Sequence, residues 1–424
     1  MRSSMNVVFA YRAPINGLRA AFVLPALGLF LVLWPYLAIA EQTFVDPSSV
    51  QIDAQAQFDA GEFDVAIKAA LTSIDVIESK GWPFEPAVAD QYRMLADARF
   101  MLGETEEALR AYSLGRQELR MLGGLHTLTQ LALLYREADV YASLNDIKSA
   151  NDRHEYAFEL QRNSPIANQI EATKHLAQWY ETNGHDAAAR DLYRRALELS
   201  ESQATPNSVR QAQLYRAIAW TYRSQYFPDA KAAEPKAPYR ILTPKPYGIV
   251  WHDIEHLTID QSIEELLFRA RSALRQSRDV LALSEDPPLE EVAQTLLDLG
   301  DWHLLTRKYG RAFDTYAELY NLLQARDPAR LESMLGKAEL LHMKNLGNAE
   351  AVSGYANPQY GFIELEVALD RMGVARKLRT VQKDPPYLSD RHFRSTVRRA
   401  RFRPAIINGV PTYTDNVRVT YSFN

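Results

Sequence analysis

The 424-residue chain contains no cysteine. Disulfides, thiolate nucleophiles, iron–sulfur clusters and cysteine-ligated zinc are therefore excluded together. The chain also lacks a Gly-x-x-x-x-Gly-Lys-Ser/Thr loop, a Gly-x-Gly-x-x-Gly loop and a Gly-x-Ser-x-Gly elbow, the common signatures of nucleotide binding and serine hydrolysis. Its formal net charge is -5, so no basic excess points to nucleic acid. These absences favour a non-enzymatic protein without a cofactor.

The composition is that of a folded protein. Hydrophobic residues make up 47% of the chain and charged residues 24%, far from the balance that disordered proteins require. A chain of this length can bury several cores, so we expect two or three domains.

The first forty residues have the pattern of an export signal. Residues 1–19 carry three arginines and no acid, residues 20–40 carry no charge, and the stretch ends with the small-x-small motif Ala38-Ile39-Ala40. Signal peptidase reads such a motif, so we predict a signal peptide at residues 1–40. A segment of about 20 apolar residues can also span a bilayer, which leaves an uncleaved anchor as the alternative. The predicted location is periplasmic, or anchored in the inner membrane and facing the periplasm.

Small residues recur at long intervals in the middle of the chain. Ala66, Ala108, Ala150 and Ala189 are spaced 42, 42 and 39 residues apart, and Ala312 follows in the same context. Two short antiparallel helices need small residues where their axes approach, and a glycine at the bend can supply the positive φ that ends the first helix. The spacing predicts stacked helical hairpins.

The clearest repeat unit spans residues 176–197. It consists of Leu176, Ala177, Tyr180, Gly184, Ala189, Tyr193, Ala196 and Leu197. This pattern resembles the tetratricopeptide repeat. The resemblance implies an α-solenoid that serves as an interaction scaffold, with peptide binding expected at polar positions of its concave face.

Aromatic side chains at the repeat spacing are interpreted as core rather than as a ligand platform. They are Tyr112, Tyr180, Tyr193, Trp220, Trp302 and Tyr316.

Proline content divides the helical region. Five prolines fall between residues 228 and 246, where no helix is expected. We therefore predict helical repeats at 41–227, a proline-rich connection at 228–258 and a second repeat segment at 259–345.

One candidate metal site follows that connection. His252 and His256 could share a helix face, and Glu255 fits the His-x-x-Glu-His order of some zinc enzymes. The other interpretation of the segment is a polar helix start at the repeat boundary. A zinc enzyme is kept as an alternative function.

The pattern changes again after a predicted linker at 346–359. Residues 361–424 contain 12 Lys or Arg against 6 Asp or Glu, whereas residues 41–360 contain 33 against 47. Alternation with a period of two predicts strands at 363–369, 374–381, 401–407 and 417–423, with a helix before the third strand. Asn408-Gly409 predicts a hairpin turn, because both positions tolerate positive φ. The fold class is thus mainly α, with a small α+β carboxy-terminal domain at 360–424.

This domain resembles the carboxy-terminal domain of the TonB family. The resemblance rests on Arg401-Phe402-Arg403-Pro404-Ala405, on Asn408-Gly409 and Pro411, and on the ending 416–423. It implies that an extended partner peptide is bound by strand addition at a sheet edge, and that peptidoglycan is contacted. The candidate partner-binding residues are Asn416, Val417, Arg418, Val419, Thr420, Tyr421 and Phe423.

Four arginines, Arg398, Arg399, Arg401 and Arg403, are candidates for contact with an anionic partner. They could instead form a solvated face or bind the acidic repeats within the same chain.

The chain departs from the energy transducers of the TonB family. The membrane anchor of that family carries a histidine, but residues 20–40 contain no His, Ser or acid, and the long flexible spacer is replaced by repeats. We therefore predict a scaffold that binds an envelope protein or extended peptide, linked to outer-membrane transport. A membrane-anchored energy transducer is the alternative, and contact with the membrane is expected only if residues 1–40 are retained.

Overall fold

The computed structural model describes the chain in seven ranges, which are 54–79, 85–205, 207–227, 240–245, 248–253, 263–344 and 361–423. The predicted leader at 1–40 and linker at 346–359 lie outside them. Within these ranges, no helix is both long and apolar enough to cross a bilayer. The described residues up to Val140 form one compact unit, and those from Tyr141 onward form another.

The first unit is helical. Its helices are α1 (residues 54–59), α2 (Phe63–Ser79), α3 (Pro86–Met101), α4 (Thr105–Gly123) and α5 (Leu131–Ser143), the last of which runs into the second unit.

The second unit contains further helices and all the described strands. The helices are α6 (Ile147–Leu160), α7 (Ile166–Thr182), α8 (Asp186–Glu201), α9 (Ser208–Tyr226), α10 (Ile263–Ala282), α11 (Leu289–Leu305), α12 (Tyr309–Gln324), α13 (Pro328–Leu335) and α14 (Arg391–Arg399). The strands are β1 (Arg240–Lys245), β2 (Gly248–Asp253), β3 (Glu339–His342), β4 (Gly361–Leu369), β5 (Ala375–Asp384), β6 (Arg401–Arg403), β7 (Ile406–Ile407), β8 (Val410–Pro411) and β9 (Thr414–Phe423).

The repeat pattern corresponds to antiparallel helical hairpins, as predicted. All five repeating alanines, from Ala66 to Ala312, are fully buried. The first helix of a hairpin ends in a left-handed residue, with φ of 79°, 81° and 78° at Gly61, Gly103 and Gly184. Asn145 between α5 and α6 and Arg307 between α11 and α12 occupy the same conformation, each with φ of 59°. Glycine therefore fills the bend in three of the five repeat units, and asparagine or arginine fills it in the other two.

The aromatic residues predicted as core are buried with one exception. Tyr112, Tyr180, Tyr193, Trp302 and Tyr316 are at most 2% exposed. The prediction is wrong for Trp220, which is 41% exposed on α9 because that position faces away from the packed side of the helix.

The close approach of α11 and α12 depends on Gly300. A Cβ atom at this position would lie 2.4 Å from the Tyr316 ring. Any other residue here would displace an aromatic side chain that is completely buried.

The proline-rich connection contains a β-hairpin rather than a helix start. β1 and β2 pair antiparallel, and His252 stands opposite Ile241. The helix predicted around His252 is therefore wrong, because the β-branched and aromatic residues of Ile249-Val250-Trp251 favour a strand. Glu255 and His256 lie outside the described residues, and no group of three metal-ligating side chains occurs within those residues.

The carboxy-terminal domain is built on a three-stranded antiparallel sheet in the order β5-β4-β9. Its inner face packs on α14, where Phe393 and Val397 are fully buried against Leu365 and Tyr421. Asn408 and Gly409 have φ of 53° and 72°, which confirms the predicted turn. The predicted helix before the third strand is α14. Asp390 occupies its N-cap position, but the carboxylate accepts from the Thr380 hydroxyl rather than from the first turn of the helix.

The predicted strand at 401–407 is divided into β6 and β7. Pro404 has no N–H to donate and separates them, and β6 pairs with β3 instead of joining the main sheet. β3 lies within the segment that the sequence assigned to helical repeats. The Arg223 guanidinium of α9 donates to the Leu341 carbonyl of β3 at 2.9 Å. The last repeats therefore contribute a strand and a supporting arginine to the carboxy-terminal domain.

A buried ion pair attaches this domain to α11. Arg403 is 2% exposed, and its Nη1 lies 3.0 and 2.8 Å from the two carboxylate oxygens of Asp301. Its Nη2 donates to Glu339 of β3, and the Tyr316 hydroxyl donates to Asp301 at 2.7 Å. Arg403 is therefore not available to an external anion, and the prediction for this residue is corrected in favour of contact with the acidic repeats.

We expect Arg403→Ala to lower the free energy of unfolding by about 3–5 kcal/mol, because it leaves the Asp301 carboxylate buried without its counter-ion. Arg418→Ala is the matched control. Arg418 forms an exposed pair with Glu364 at 3.1 Å, and its loss should change stability by no more than about 1 kcal/mol. Urea unfolding measures both variants. Equal effects would contradict the role assigned to the buried pair.

Candidate functional site

An open groove runs across alternate helices of the second unit. Its cavity volume is about 510 Å³. The helices α7, α9 and α11 line it, each the first member of a helical hairpin, together with Tyr193 of α8. The lining residues are Lys174, Gln178, Glu181, Tyr193, Gln213, Leu214, Arg216, Ala217, Trp220, Glu291, Gln294 and Asp298.

Arg216 of α9 organises the centre of the groove. Its Nη1 lies 2.9 Å from a Glu291 carboxylate oxygen, and its Nε lies 2.8 Å from Asp298, both on α11. Two amides complete the network, since Gln213 donates to Glu291 at 2.5 Å and Gln294 donates to Asp298 at 2.9 Å. These charge-assisted bonds hold α9 and α11 at a fixed separation.

The groove contains two carboxyl groups with raised pKa values. Burial raises the pKa of Asp298, although the nearby Arg216 guanidinium acts in the opposite direction. Burial also raises the pKa of Glu181, while the hydrogen bond from the Tyr193 hydroxyl at 2.6 Å opposes it. Both groups therefore take up protons more readily than ordinary carboxylates.

Trp220 presents an aromatic surface to the groove. The Arg223 guanidinium lies 4.5 Å from its ring centre, so a cation–π contact fixes the indole. An exposed, oriented tryptophan is a strong anchor for a bound segment. The sequence could not identify it, because a tryptophan at repeat spacing gives the same signal whether it faces the core or the groove.

The predicted partner-binding strand lies at a sheet edge. Among the described residues, β9 pairs with β4 alone, so its other side carries main-chain groups without a strand partner. Asn416 and Arg418 are exposed, whereas Val419 and Tyr421 are 5% and 1% exposed beneath the sheet. Val417 and Thr420 are half-buried, and the backbone of Phe423 pairs with Gly361. The edge therefore offers its backbone and only some of the predicted side chains.

The four candidate arginines do not form one surface. Arg398 and Arg399 are exposed at the end of α14, and Arg399 donates to the Ser395 hydroxyl at 2.8 Å. Arg401 is half-buried, whereas Arg403 is enclosed by the ion pair described above. Contact with an anionic partner remains a prediction for the first three.

Comparisons with known proteins give no family. No protein-family model matches the chain, and no curated protein matches it. Among solved structures, it is similar to the carboxy-terminal part of a TPR repeat-containing protein from Cytophaga hutchinsonii, with 13% identity over 67% of this chain and 84% of that chain and a TM-score of 0.41. BtubC from P. vanneervenii is 14% identical over 66% of this chain and 92% of that chain, with a TM-score of 0.39. PilF of Pseudomonas aeruginosa is 13% identical over 68% of this chain and 94% of that chain, with a TM-score of 0.34. The hairpin architecture therefore rests on this chain's own contacts.

Glu181→Gln should alter how stability depends on pH. The glutamine keeps an acceptor for Tyr193 but removes the ionisable group. Because the folded chain raises the pKa of Glu181, it binds a proton that the unfolded chain lacks at intermediate pH, and the wild type gains stability as pH falls towards the ordinary glutamate pKa of about 4.3. The variant should be more stable at about pH 8, and its advantage should shrink by about pH 5 in urea unfolding. A difference that stays constant with pH would contradict this assignment.

Proposed function

We propose that this chain is a non-enzymatic interaction scaffold that holds an extended segment of a protein partner in the groove of α7, α9 and α11. The observation that carries the proposal is the open cavity, to which three successive hairpins each contribute polar side chains. Packed helices lie about 8–10 Å apart, so such a groove accommodates about six residues of extended chain.

The chemistry of the groove suits a peptide main chain. Gln178, Gln213 and Gln294 come one from each helix, and a side-chain amide can both donate to and accept from a peptide bond. Trp220 supplies an apolar contact at the same surface. Because the groove contains three acids and two bases, we expect the preferred segment to be neutral or basic rather than acidic.

The edge of β9 that no described strand covers supports a second binding mode. An extended segment can add a strand there, with affinity from main-chain hydrogen bonds and specificity from alternate side chains. This mode is the one that the TonB resemblance implies. The carboxy-terminal domain is fixed to the repeats by Arg403, and this attachment favours a recognition module over the mobile end of an energy transducer.

We place the partner in the cell envelope, in connection with outer-membrane transport. The support for this part of the proposal is the export pattern of residues 1–40 and the TonB resemblance of residues 360–424.

Trp220→Ala should weaken binding in the groove. A photo-crosslinking residue at Ala217 would identify the bound segment in cells, and a synthetic peptide of that segment would then be titrated against the purified protein. We expect the variant to bind about tenfold more weakly or worse, because a central aromatic anchor is lost. Tyr387→Ala is the matched control, since Tyr387 is 66% exposed on the carboxy-terminal domain. Equal affinity of Trp220→Ala and wild type would contradict the groove as the site.

Proline substitutions at two neighbouring positions test the strand edge. The amides of a strand alternate between its two sides, so one of Arg418→Pro and Val419→Pro removes a bond to β4 and the other removes only an outward amide. The second kind should keep the bonds between β9 and β4 and lose partner capture by the carboxy-terminal domain. Val419→Ala is the control for the buried side chain that Val419→Pro also removes. Capture that survives in the variant without its outward amide would exclude β9 as the accepting edge.

A further inference from the structure

Two helical hairpins contain a buried tyrosine that donates to a carboxylate of the hairpin's first helix. In the first unit, Tyr112 donates to Asp97 at 2.5 Å, and Arg136 of the next helix lies 3.7 Å from the same carboxylate. In the last hairpin, Tyr316 donates to Asp301 at 2.7 Å, and an arginine of β6 binds that carboxylate. In both places the counter-ion is an arginine of a later element of the chain.

A third tyrosine–carboxylate pair lies in the groove and has no such arginine. The Tyr193 hydroxyl of α8 donates to Glu181 of α7 at 2.6 Å. No lysine or arginine of the described residues lies within ion-pair distance of Glu181. Burial raises the pKa of Glu181, the Tyr193 hydrogen bond opposes this, and the negative charge of Asp186 adds to it. The Glu181 carboxylate therefore lacks the positive charge that accompanies the other two.

The repeat register explains the missing arginine. In the first unit, Arg136 follows Asp97 by 39 residues. In the groove the same separation joins Gln178 to Ala217, so an amide and a methyl group occupy the two charged positions. The tyrosine of this hairpin bonds instead to Glu181, one turn later on α7.

Trp220 lies opposite Glu181 across the groove. An ion pair joins α7 to α9, with the Nε of Arg210 3.4 Å from a Glu171 carboxylate oxygen. Glu181 and Trp220 each lie ten residues further along their helices, a distance of about 15 Å, and both line the cavity. The space between the carboxylate and the indole is therefore part of the open groove.

The other charges of the groove leave this space to a ligand. Arg216 is held by two carboxylates of α11, and Lys174 lies 3.8 Å from Glu171 on its own helix. Trp220 is 41% exposed, although Arg223 lies over one face of its ring at 4.5 Å. A ring has two faces, so the second face can stack on another cation.

We propose that the partner of the groove supplies the missing arginine, and that its guanidinium binds between Glu181 and Trp220. This inference rests on the proposed function of the groove and names the side chain that the groove recognises. Because Tyr193 bonds to Oε2 of Glu181, Oε1 is left to accept from the guanidinium. A planar guanidinium both donates to a carboxylate and stacks on an aromatic face, and the compact ammonium of lysine matches this geometry less well.

Peptides that differ in one side chain test the proposal on the full chain. The probe is a hexapeptide of alanine and serine with one central arginine. Lysine, glutamate or citrulline replaces the arginine in three further peptides, and citrulline keeps the shape of arginine without its charge. The signal is the fluorine NMR resonance of Trp220 in protein labelled with fluorotryptophan, assigned by its absence in Trp220→Phe.

We expect a saturable shift of this resonance with the arginine peptide. The citrulline and glutamate peptides should bind at least about tenfold more weakly, because a charge-assisted contact is lost. The lysine peptide should bind more weakly than the arginine peptide, since it lacks the planar fork. Equal binding of lysine and arginine would overturn the assignment to a guanidinium.

Glu181→Gln locates the contact. The variant keeps an acceptor for Tyr193 but removes the charge, so it should bind the arginine peptide at least about tenfold more weakly and no longer distinguish arginine from citrulline. Glu198→Gln is the matched control, because the Glu198 side chain is 65% exposed on α8 and pairs with Arg195 at 3.2 Å. Equal weakening by the control would overturn the assignment. If Glu181→Gln does not fold, the difference between the arginine and citrulline peptides on the wild type decides the proposal.

Two outcomes separate this inference from the proposed function. Equal binding of the arginine and citrulline peptides overturns the guanidinium contact and leaves the groove as a peptide site. Absence of a Trp220 shift with every peptide overturns the contact together with the groove.

Discussion

The buried pair between Arg403 and Asp301 is the constraint on which the second unit depends. A guanidinium that is 2% exposed cannot be solvated, so its counter-ion must come from the protein. That counter-ion lies on α11, and a second carboxylate comes from Glu339 of β3. β6 is consequently held against β3, and the carboxy-terminal domain cannot separate from the last hairpin without exposing or orphaning charge. The domain is therefore part of the repeat structure rather than an appendage.

The same arrangement occurs earlier in the chain, within the first unit. Asp97 of α3 accepts from the Tyr112 hydroxyl at 2.5 Å, and Arg136 of the following helix lies 3.7 Å from the same carboxylate. In the last hairpin, Asp301 and Tyr316 correspond to Asp97 and Tyr112. Arg403 of β6 corresponds to Arg136, which the next helix supplies in the first unit. A solenoid needs a cap because its terminal repeat has no neighbour to cover its buried face. The carboxy-terminal domain provides that cap by reproducing the contact that another repeat would make.

Two features with different chemistry share α11. Glu291 and Asp298 face the groove, and Asp301 binds Arg403 one turn later. Because a helix is rigid over this length, the groove and the cap are held at a fixed spacing by one element. Gly300 of the same helix helps to fix the position of Tyr316. Because Gly300 has no Cβ atom, the Tyr316 ring packs close to α11, and its hydroxyl bonds to Asp301.

The sequence predicts those features that depend on neighbours along the chain. Buried alanines and left-handed bends follow from a local period, so the hairpins could be recognised. Arg403 and Asp301 are 102 residues apart, and an arginine beside other arginines has the composition of a solvated face whether or not it is buried. The prediction that Trp220 is buried is wrong for the same reason, because its exposure depends on which side of α9 packs against α11. Periodicity therefore identifies the helices and strands. The groove depends on how α7 and α9 pack beside α11, and the Arg403 ion pair depends on how β6 packs on α11; local spacing encodes neither.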